Sequence, residues 1–153
     1  MGAPNVRTDP GADRAALDRA LAAVAEERFR ATVDAPPRDV TAPDGHLLTA
    51  RVAFAGGFSG TLSCTMPRAL ARELAAMVNG APQDEIAVAD PLVDDLAGEF
   101  VSLVCGRWLT DVAAKQLFSL SAAAVEPAVA PGAEAPRALL KGRPIWIELT
   151  LEG

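Results

Sequence analysis

The chain has 153 residues, a length that suits one domain with a single hydrophobic core and is short for two. Its 20 Asp and Glu residues outnumber its 14 Lys and Arg residues, and the net charge of -6 repels the phosphates of nucleic acids and anionic lipids. We therefore expect no nucleic-acid partner, and no membrane insertion because no apolar stretch approaches the roughly 20 residues that span a bilayer.

The sequence has few residues that are suited to metal binding or to nucleophilic catalysis. His46 is the only histidine, so a zinc site or a serine and histidine pair lacks its usual components. Cys64 and Cys105 each lie within an apolar periodic segment, which favours buried, reduced thiols over a disulfide. The polar start of the chain has no apolar signal-peptide core, so we expect residues 1–12 to be flexible and the protein to be cytoplasmic.

The first half of the chain predicts a long helix followed by a β-hairpin. Apolar residues recur at helical spacing over Ala12–Asp34, and Pro36-Pro37 is expected to end the helix. Over Leu48–Phe54 and Phe58–Met66 the apolar period changes to two, with Gly56-Gly57 as a turn between the two segments. Two antiparallel strands are therefore expected there.

Two further helices are predicted after the hairpin. The first covers Pro67–Asn79, where proline suits the first turn and Gly80 supplies a left-handed stop. The second covers Pro91 to about Leu117, and Gly98 and Gly106 interrupt it. Glycines in such positions usually let another backbone approach closely. The apolar face of this helix is predicted to consist of Leu92, Leu96, Phe100, Leu103, Val104, Trp108 and Val112.

The C-terminal third returns to strands. Phe118–Val125 is predicted to be one strand, and Ile145–Leu151 has the most regular period of two in the chain. The Ile and Leu side chains of that last strand are expected to face the helices from within a sheet. Residues 1–153 are thus predicted to form a single α+β domain, with an antiparallel-rich sheet packed against long helices.

The third predicted helix carries one narrow polar stripe. Asp95, Glu99 and Ser102 are spaced four and then three residues apart, which places them on one face of a helix. A solvated surface is the plain interpretation of such a stripe. A functional interpretation gains weight because the rest of the helix is strongly apolar and because Gly98 leaves the backbone accessible beside the stripe.

The segment DLAGEFVSLVCG, residues 95–106, resembles the signature helix of the CheC/CheX chemotaxis phosphatases. In that family Asp or Ser, three residues, Glu, two residues and Asn precede an apolar pair and a Gly. The order of elements also fits over nearly the whole chain, from the long first helix to the apolar terminal strand. A CheX-like single domain is the expected fold, and an unrelated α+β fold is the alternative.

The resemblance implies that the chain binds a phosphorylated CheY-type response regulator and removes phosphate from its aspartyl phosphate. The regulator would supply Mg²⁺, so no cofactor of the chain's own is expected. Glu99 matches the family's Glu, which pairs with a basic residue of the regulator, and Asp95 is expected beside it in the partner-binding surface. Ser102 occupies the position of the Asn that orients the attacking water.

Ser102 leaves two functions open. A hydroxyl can donate and accept a hydrogen bond, but it is shorter than a carboxamide and does not present a carbonyl and an NH₂ at the same reach. The chain is then either an altered phosphatase with Glu99 and Ser102 as catalytic residues or a non-catalytic interaction module of the same fold. The resemblance also predicts a homodimer, in which the terminal strand is shared between subunits.

Overall fold

The computed structural model describes residues 10–34, 46–80, 82, 85–87, 91–128 and 138–152, with side chains from Arg14 onward. Residues 1–9 of the segment predicted to be flexible lie outside the described residues. Residues 10–12 form the start of a helix, and their flexibility stays a prediction. Pro10 is tolerated there because the first N–H groups of a helix have no intrahelical acceptor.

The described part of the chain contains three α-helices: α1 (Pro10–Phe29), α2 (Arg68–Asn79) and α3 (Pro91–Val112). Pro67 is the extended residue just before α2 rather than its first helical residue. Gly80 has a φ of 65° and its N–H donates to carbonyls of the last turn, which confirms the left-handed stop. None of these helices is both long and apolar enough to cross a membrane.

Seven β-strands form one sheet in the described residues. They are β1 (Val33–Asp34), β2 (Leu47–Ala55), β3 (Ser59–Pro67), β4 (Ser119–Leu120), β5 (Ala124–Ala128), β6 (Ala138–Leu140) and β7 (Arg143–Glu152). Their order in the sheet is β1-β6-β7-β3-β2-β4, and β5 also pairs with β2. Every pairing is antiparallel, and the predicted hairpin is the pair β2 and β3.

The three helices pack on one face of this sheet. Alternate residues of the central strands join the helices in one hydrophobic core because successive strand side chains point to opposite faces. From β2 and β3 these core residues are Leu48, Ala50, Val52, Phe54, Leu62, Cys64 and Met66. The residues between them are mostly polar and exposed or half-buried, so the other face of the sheet is open over much of its area.

Helix α1 ends five residues before the predicted end at Asp34. Arg30 has a φ of 49°, and the N–H of Ala31 donates to the carbonyl of Ala25 at 3.0 Å. This bond closes the helix as a left-handed C-terminal cap. The sequence did not indicate the cap because glycine is the usual residue at such a position and arginine occupies it here. Residues Val33 and Asp34 then pair with β6.

Helix α3 ends five residues before the predicted Leu117, and the predicted strand 118–125 is two short strands along one edge of β2. Ser121 bridges the break between them. Its N–H donates to the carbonyl of Ala53 at 2.8 Å, and its Oγ accepts from the N–H of Ala53 at 3.0 Å. A side-chain hydroxyl thus replaces a backbone carbonyl in the ladder, which lets the chain change direction between β4 and β5.

The terminal strand β7 confirms the clearest strand prediction. Ile145 and Ile147 are buried, and Leu149 and Leu151 pack against the core. The first three residues of β7 pair with β6, and the remaining seven pair with β3. Trp146 points to the opposite face of the sheet and is nevertheless only 4% exposed, so it is no open platform for a ligand.

A tight turn joins β6 to β7 and is tied to α2. Lys141 and Gly142 have φ values of 52° and 78°, the two positive values that a type I′ turn needs. Lys141 Nζ and Arg143 Nε lie 3.2 Å and 3.5 Å from the carboxylate oxygens of Glu73 on α2. One carboxylate therefore holds both cations of the hairpin against the helix layer.

Cys64 on β3 and Cys105 on α3 are free and buried, as predicted. Burial raises the pKa of each thiol to about 12, because the thiolate would lose its hydration in the core. Both thiols therefore stay protonated in the folded protein at any ordinary pH.

We predict that the protein loses stability as pH rises from about 9 towards 12. In this window the unfolded thiols ionise and the folded thiols do not, so the unfolded state binds fewer protons and is favoured. The free energy of unfolding should fall by up to about 1.4 kcal/mol per pH unit for each thiol, measured by urea denaturation across the window. The double variant Cys64→Ala/Cys105→Ala should lose this slope, and an unchanged slope would assign it to other groups.

Candidate functional site

Helix α3 has one buried face and one open side. The buried residues are Val93, Leu96, Ala97, Gly98, Phe100, Val101, Val104, Cys105, Trp108 and Leu109. The open side carries Asp95, Glu99, Ser102, Gly106 and Thr110, each three or four residues after the last. This spacing places the five residues in one line along the helix.

An open cleft of about 440 Å³ lies between the N-terminal half of α3 and the edge strand β5. Its lining consists of Asp94, Asp95, Gly98, Glu99 and Ser102 from the helix and Ala123 and Val125 from the opposite wall. Three of the lining side chains are carboxylates and none is basic. The cleft therefore attracts a cationic group.

The two walls of the cleft meet where α3 comes closest to the β5 segment. A Cβ added to Gly98 would lie 3.1 Å from the Cβ of Ala123 and 3.6 Å from Cγ2 of Val125. Such a contact is tight even for a methyl group. Gly98 therefore allows the close backbone approach that the sequence analysis expected of a glycine in this helix.

An ion pair holds the first turn of α3 against α2. Arg68 Nη2 donates to Asp94 Oδ1 at 2.8 Å, and the Arg68 side chain is half-buried. Arg68 is the first residue of α2, and its N–H donates to the carbonyl of His46 at 2.9 Å. Because partial burial reduces screening by salt, this pair is worth more than an exposed one. It also neutralises one of the three carboxylates of the cleft.

Asp95 and Glu99 carry the remaining negative charge. Both residues are exposed, and neither has an ion pair within the described ranges. Ser102 is half-buried and lies about 4.5 Å further along the helix axis than Glu99. The cleft can thus bind a cation and hold a water molecule, but its lining contains no pair of nucleophile and base. Among the described residues no cluster of three or more His, Cys, Asp or Glu side chains could hold a metal ion.

Comparison with known families identifies the family of this chain. The family model described as chemotaxis phosphatase CheX matches residues 48–145. The chain belongs to the CheX family. The matched region begins in β2, ends in β7 and contains every residue of the cleft. No curated protein matches the chain by sequence.

Solved CheX and CheC-like structures share the fold of this CheX-family chain. CheX from Vibrio vulnificus has a TM-score of 0.65 and 16% identity, covering 90% of this chain and 95% of that chain. A chain of the CheX-CheY-BeF3-Mg²⁺ complex from Borrelia burgdorferi has a TM-score of 0.62 and 16% identity, covering 91% and 97%. A CheC-like superfamily protein from Shewanella sp. PV-4 has a TM-score of 0.62 and 19% identity, covering 92% and 98%. These matches confirm the predicted fold class.

The CheX fold brings the three predicted site residues to one place. Asp95, Glu99 and Ser102 all line the same cleft, as their spacing on one helix face predicted. Their assigned roles, partner binding for the two carboxylates and catalysis for Glu99 and Ser102, stay predictions.

The predicted apolar face of α3 is wrong at its first residue. Leu92 is 41% exposed, whereas Leu96 is buried and Leu103 packs against the core. Leu92 precedes Glu99 by seven residues, which is almost two full helical turns. Leu92 therefore lies on the open side of the helix, on the N-terminal side of the polar stripe.

The sequence pattern did not indicate Asp94, Ala123 or Val125 as part of the site. The signal for the opposite wall was Gly98, because a glycine within an apolar helix indicates a close neighbour. It does not specify which strand approaches, since β5 reaches α3 only through its pairing with β2.

We predict that Gly98→Leu destabilises the protein by roughly 1–3 kcal/mol, because the side chain overpacks the contact with Ala123 and Val125. Gly106→Leu is the matched control, since a Cβ there would meet no atom within 4 Å. Its gain in helix propensity of about 1 kcal/mol meets no strain, so stability should rise. Urea denaturation of both variants measures the difference in the free energy of unfolding. Equal changes in this free energy would show that the contact with Ala123 and Val125 does not restrict the size of the side chain at position 98.

Proposed function

We propose that this CheX-family chain binds a phosphorylated CheY-type response regulator through the open side of α3. The observation that carries the proposal is that Asp95, Glu99 and Ser102 line one open cleft in a CheX-family fold. The structure from Borrelia burgdorferi, a CheX-CheY complex with BeF3 and Mg²⁺, supports this type of partner. The proposal places the protein in the cytoplasm, where such regulators are phosphorylated.

The carboxylates of Asp95 and Glu99 are proposed to bind a Lys or Arg of the regulator close to its phosphorylated aspartate. Both carboxylates are exposed in the free protein, so the pairing requires no rearrangement of the cleft. Exclusion of water on complex formation strengthens such a charge pair. The net charge of -6 also favours a partner that presents a basic surface.

Hydrolysis of the aspartyl phosphate is the proposed reaction of this complex. Water attacks phosphorus in line with the bond to the aspartyl oxygen, a new P–O bond forms and the old one breaks. The products are the free aspartate carboxylate and inorganic phosphate, which keeps the oxygen and both protons of the attacking water. The regulator would supply Mg²⁺, which would stabilise the charge that develops on the phosphoryl group, and Ser102 Oγ hydrogen-bonds the attacking water to align it.

A non-catalytic interaction module is the second candidate, and the residue at position 102 favours it. The hydroxyl of Ser102 is half-buried and shorter than the carboxamide of the family's Asn. Water displaced by about 1 Å from the line of attack loses on the order of a hundredfold in rate. Binding through Asp95 and Glu99 does not depend on that alignment.

We predict that Ser102→Asn raises the rate of dephosphorylation by roughly tenfold or more without changing affinity, because a carboxamide reaches the attacking water. Glu99→Ala should weaken binding by roughly tenfold or more in either background, since it leaves the regulator's cation without its partner. Glu26→Ala, which removes an exposed carboxylate on α1 outside the cleft, is the matched control and should change neither quantity.

The measurements are loss of phosphate from a panel of phosphorylated receiver domains and affinity for the same domains with BeF3 and Mg²⁺. If Ser102→Asn has no effect on rate while Glu99→Ala still weakens binding, the chain is a binding module. If neither substitution matters with any receiver domain, the proposed function is wrong and the stripe is a solvated helix face.

We also propose a homodimer built on β7. The last seven residues of β7 pair with β3, and the alternation of this terminal strand suits a strand that is shared between subunits. Addition of a strand from a second chain to a sheet is a common mode of protein association. An antiparallel pairing of two β7 strands would continue the sheet from one subunit to the next.

We predict a mass of about 32 kDa by light scattering, which is twice the 15.8 kDa of one chain. Hydrogen exchange should show protected amides on both edges of Trp146–Glu152, because a shared sheet pairs both sides of the strand. A constant mass near that of one chain over a wide concentration range would rule out the dimer.

A further inference from the structure

The open side of α3 continues beyond Ser102 into a second cleft. This cleft has a volume of about 220 Å³ and lies between the C-terminal half of α3 and the segment that leads into β4. Its described lining is Gly106, Leu109, Thr110, Ala113, Ala114, Gln116, Phe118 and Leu120. These residues carry no charge and most of them are apolar, in contrast to the acidic cleft beside it, and Thr110 and Gln116 add one hydroxyl and one amide. We call it the apolar cleft.

Gly106 has no explanation within the fold. A Cβ at this position would meet no atom within 4 Å, and φ is not in the left-handed region. Glycine therefore weakens the helix here without making room for any residue in the described part of the chain. Gly98 is different, because its missing side chain makes room for Ala123. The space above Gly106 is open to a group from outside.

Exposed apolar side chains occur in the segment 116–120, which supplies one wall of this second cleft. Leu117 is 92% exposed and Leu120 is 38% exposed. The hydroxyl of Thr110 donates to the carbonyl of Gly106 at 2.9 Å, so this donor does not need an acceptor on a ligand in the cleft. A partner that covers this region gains by burying apolar surface and leaves no hydroxyl without its hydrogen bond.

We infer that Gly106 and the apolar cleft form the second half of the docking surface for the regulator, an inference that rests on the function proposed above. The occupant is an apolar side chain of the same regulator whose cation pairs with Glu99. Gly106 follows Ser102 by one helical turn, a rise of about 6 Å, so one protein surface reaches both clefts. The absence of a side chain at Gly106 lets that surface approach the helix closely enough for the phosphoryl group to reach Ser102.

Charge complementarity identifies the occupant as a protein surface of mixed character. A purely apolar ligand would leave Asp95 and Glu99 without a counter-charge, and a small cation would leave the second cleft unfilled. Since the two clefts share one wall of α3, a single partner with a cation and an adjacent apolar side chain matches both. Gly106 is then a positioning residue: because it has no side chain, the regulator can approach α3 closely.

The test uses Gly106→Ala and Gly106→Leu, because Ala and Leu have similar helix propensities and differ in bulk. The probe is a receiver domain with BeF3 and Mg²⁺ that binds the unmodified protein, and calorimetry gives the affinity. We expect binding to weaken about tenfold for Ala and on the order of a hundredfold for Leu. The urea denaturation midpoint of both variants should rise while binding weakens. Replacement of a glycine with a structural role would instead lower the denaturation midpoint.

The contribution of the apolar cleft to docking is tested with Leu120→Ser, which should weaken binding of the receiver domain by about tenfold. Val78→Ser is the matched control, because Val78 is an exposed apolar residue on α2 that lines neither cleft, and it should bind as the unmodified protein does.

Three results would overturn the inference. If Gly106→Leu binds normally while Glu99→Ala does not, the regulator docks on the acidic cleft alone and the proposed function stands. If Gly106→Leu lowers the denaturation midpoint, the glycine has a structural role. If no receiver domain binds the unmodified protein, the proposed function fails and the inference falls with it.

Discussion

The close contact of α3 with the β5 segment at Gly98 is the constraint on which the site depends. The two walls of the acidic cleft come from distant parts of the sequence and meet only where this contact brings them together. A side chain at position 98 would separate the helix from Ala123 and Val125 and widen the cleft. The geometry of Asp95 and Glu99 relative to the opposite wall therefore depends on a residue that carries no functional group.

An aromatic cluster fixes the other half of α3. The ring centroid of Trp108 lies 5.6 Å from that of Phe54 and 6.0 Å from that of Phe58, and Phe118 lies 4.9 Å from Phe58. Edge-on aromatic pairs of this kind add to the energy of burial. The helix is thus held at Gly98 by small residues and at Trp108 by large ones. Two fixed points prevent its rotation, so the open side keeps its direction.

The sequence predicted those elements whose pattern is local. The β2 and β3 hairpin and β7 have several alternating residues each, and α2 has both a stop signal and an apolar face. The strands β1 and β6 have two and three residues, too few to show a period. The end of α1 depends on a positive φ at Arg30, for which an arginine gives no signal. The break at Ser121 depends on hydrogen bonds to β2.

The candidate site was predictable only in the part that lies on one helix. The spacing of Asp95, Glu99 and Ser102 determines their common face, whatever the rest of the fold. The opposite wall, the ion pair of Asp94 and the apolar cleft all need contacts between separate elements, which periodicity does not encode.

The proposed function divides docking and hydrolysis between different side chains of the same helix. In that proposal Asp95 and Glu99 carry the charge that attracts the regulator, and position 102 aligns the attacking water. Because the helix is held at Gly98 and Trp108, a change at the half-buried position 102 leaves the direction of both carboxylates unchanged. Under the proposed function, exchange of Asn for Ser at this position would alter the reaction and keep the docking surface. The inferred docking surface also requires the absence of a side chain at Gly106, a residue that supplies neither charge nor a hydrogen bond to the attacking water.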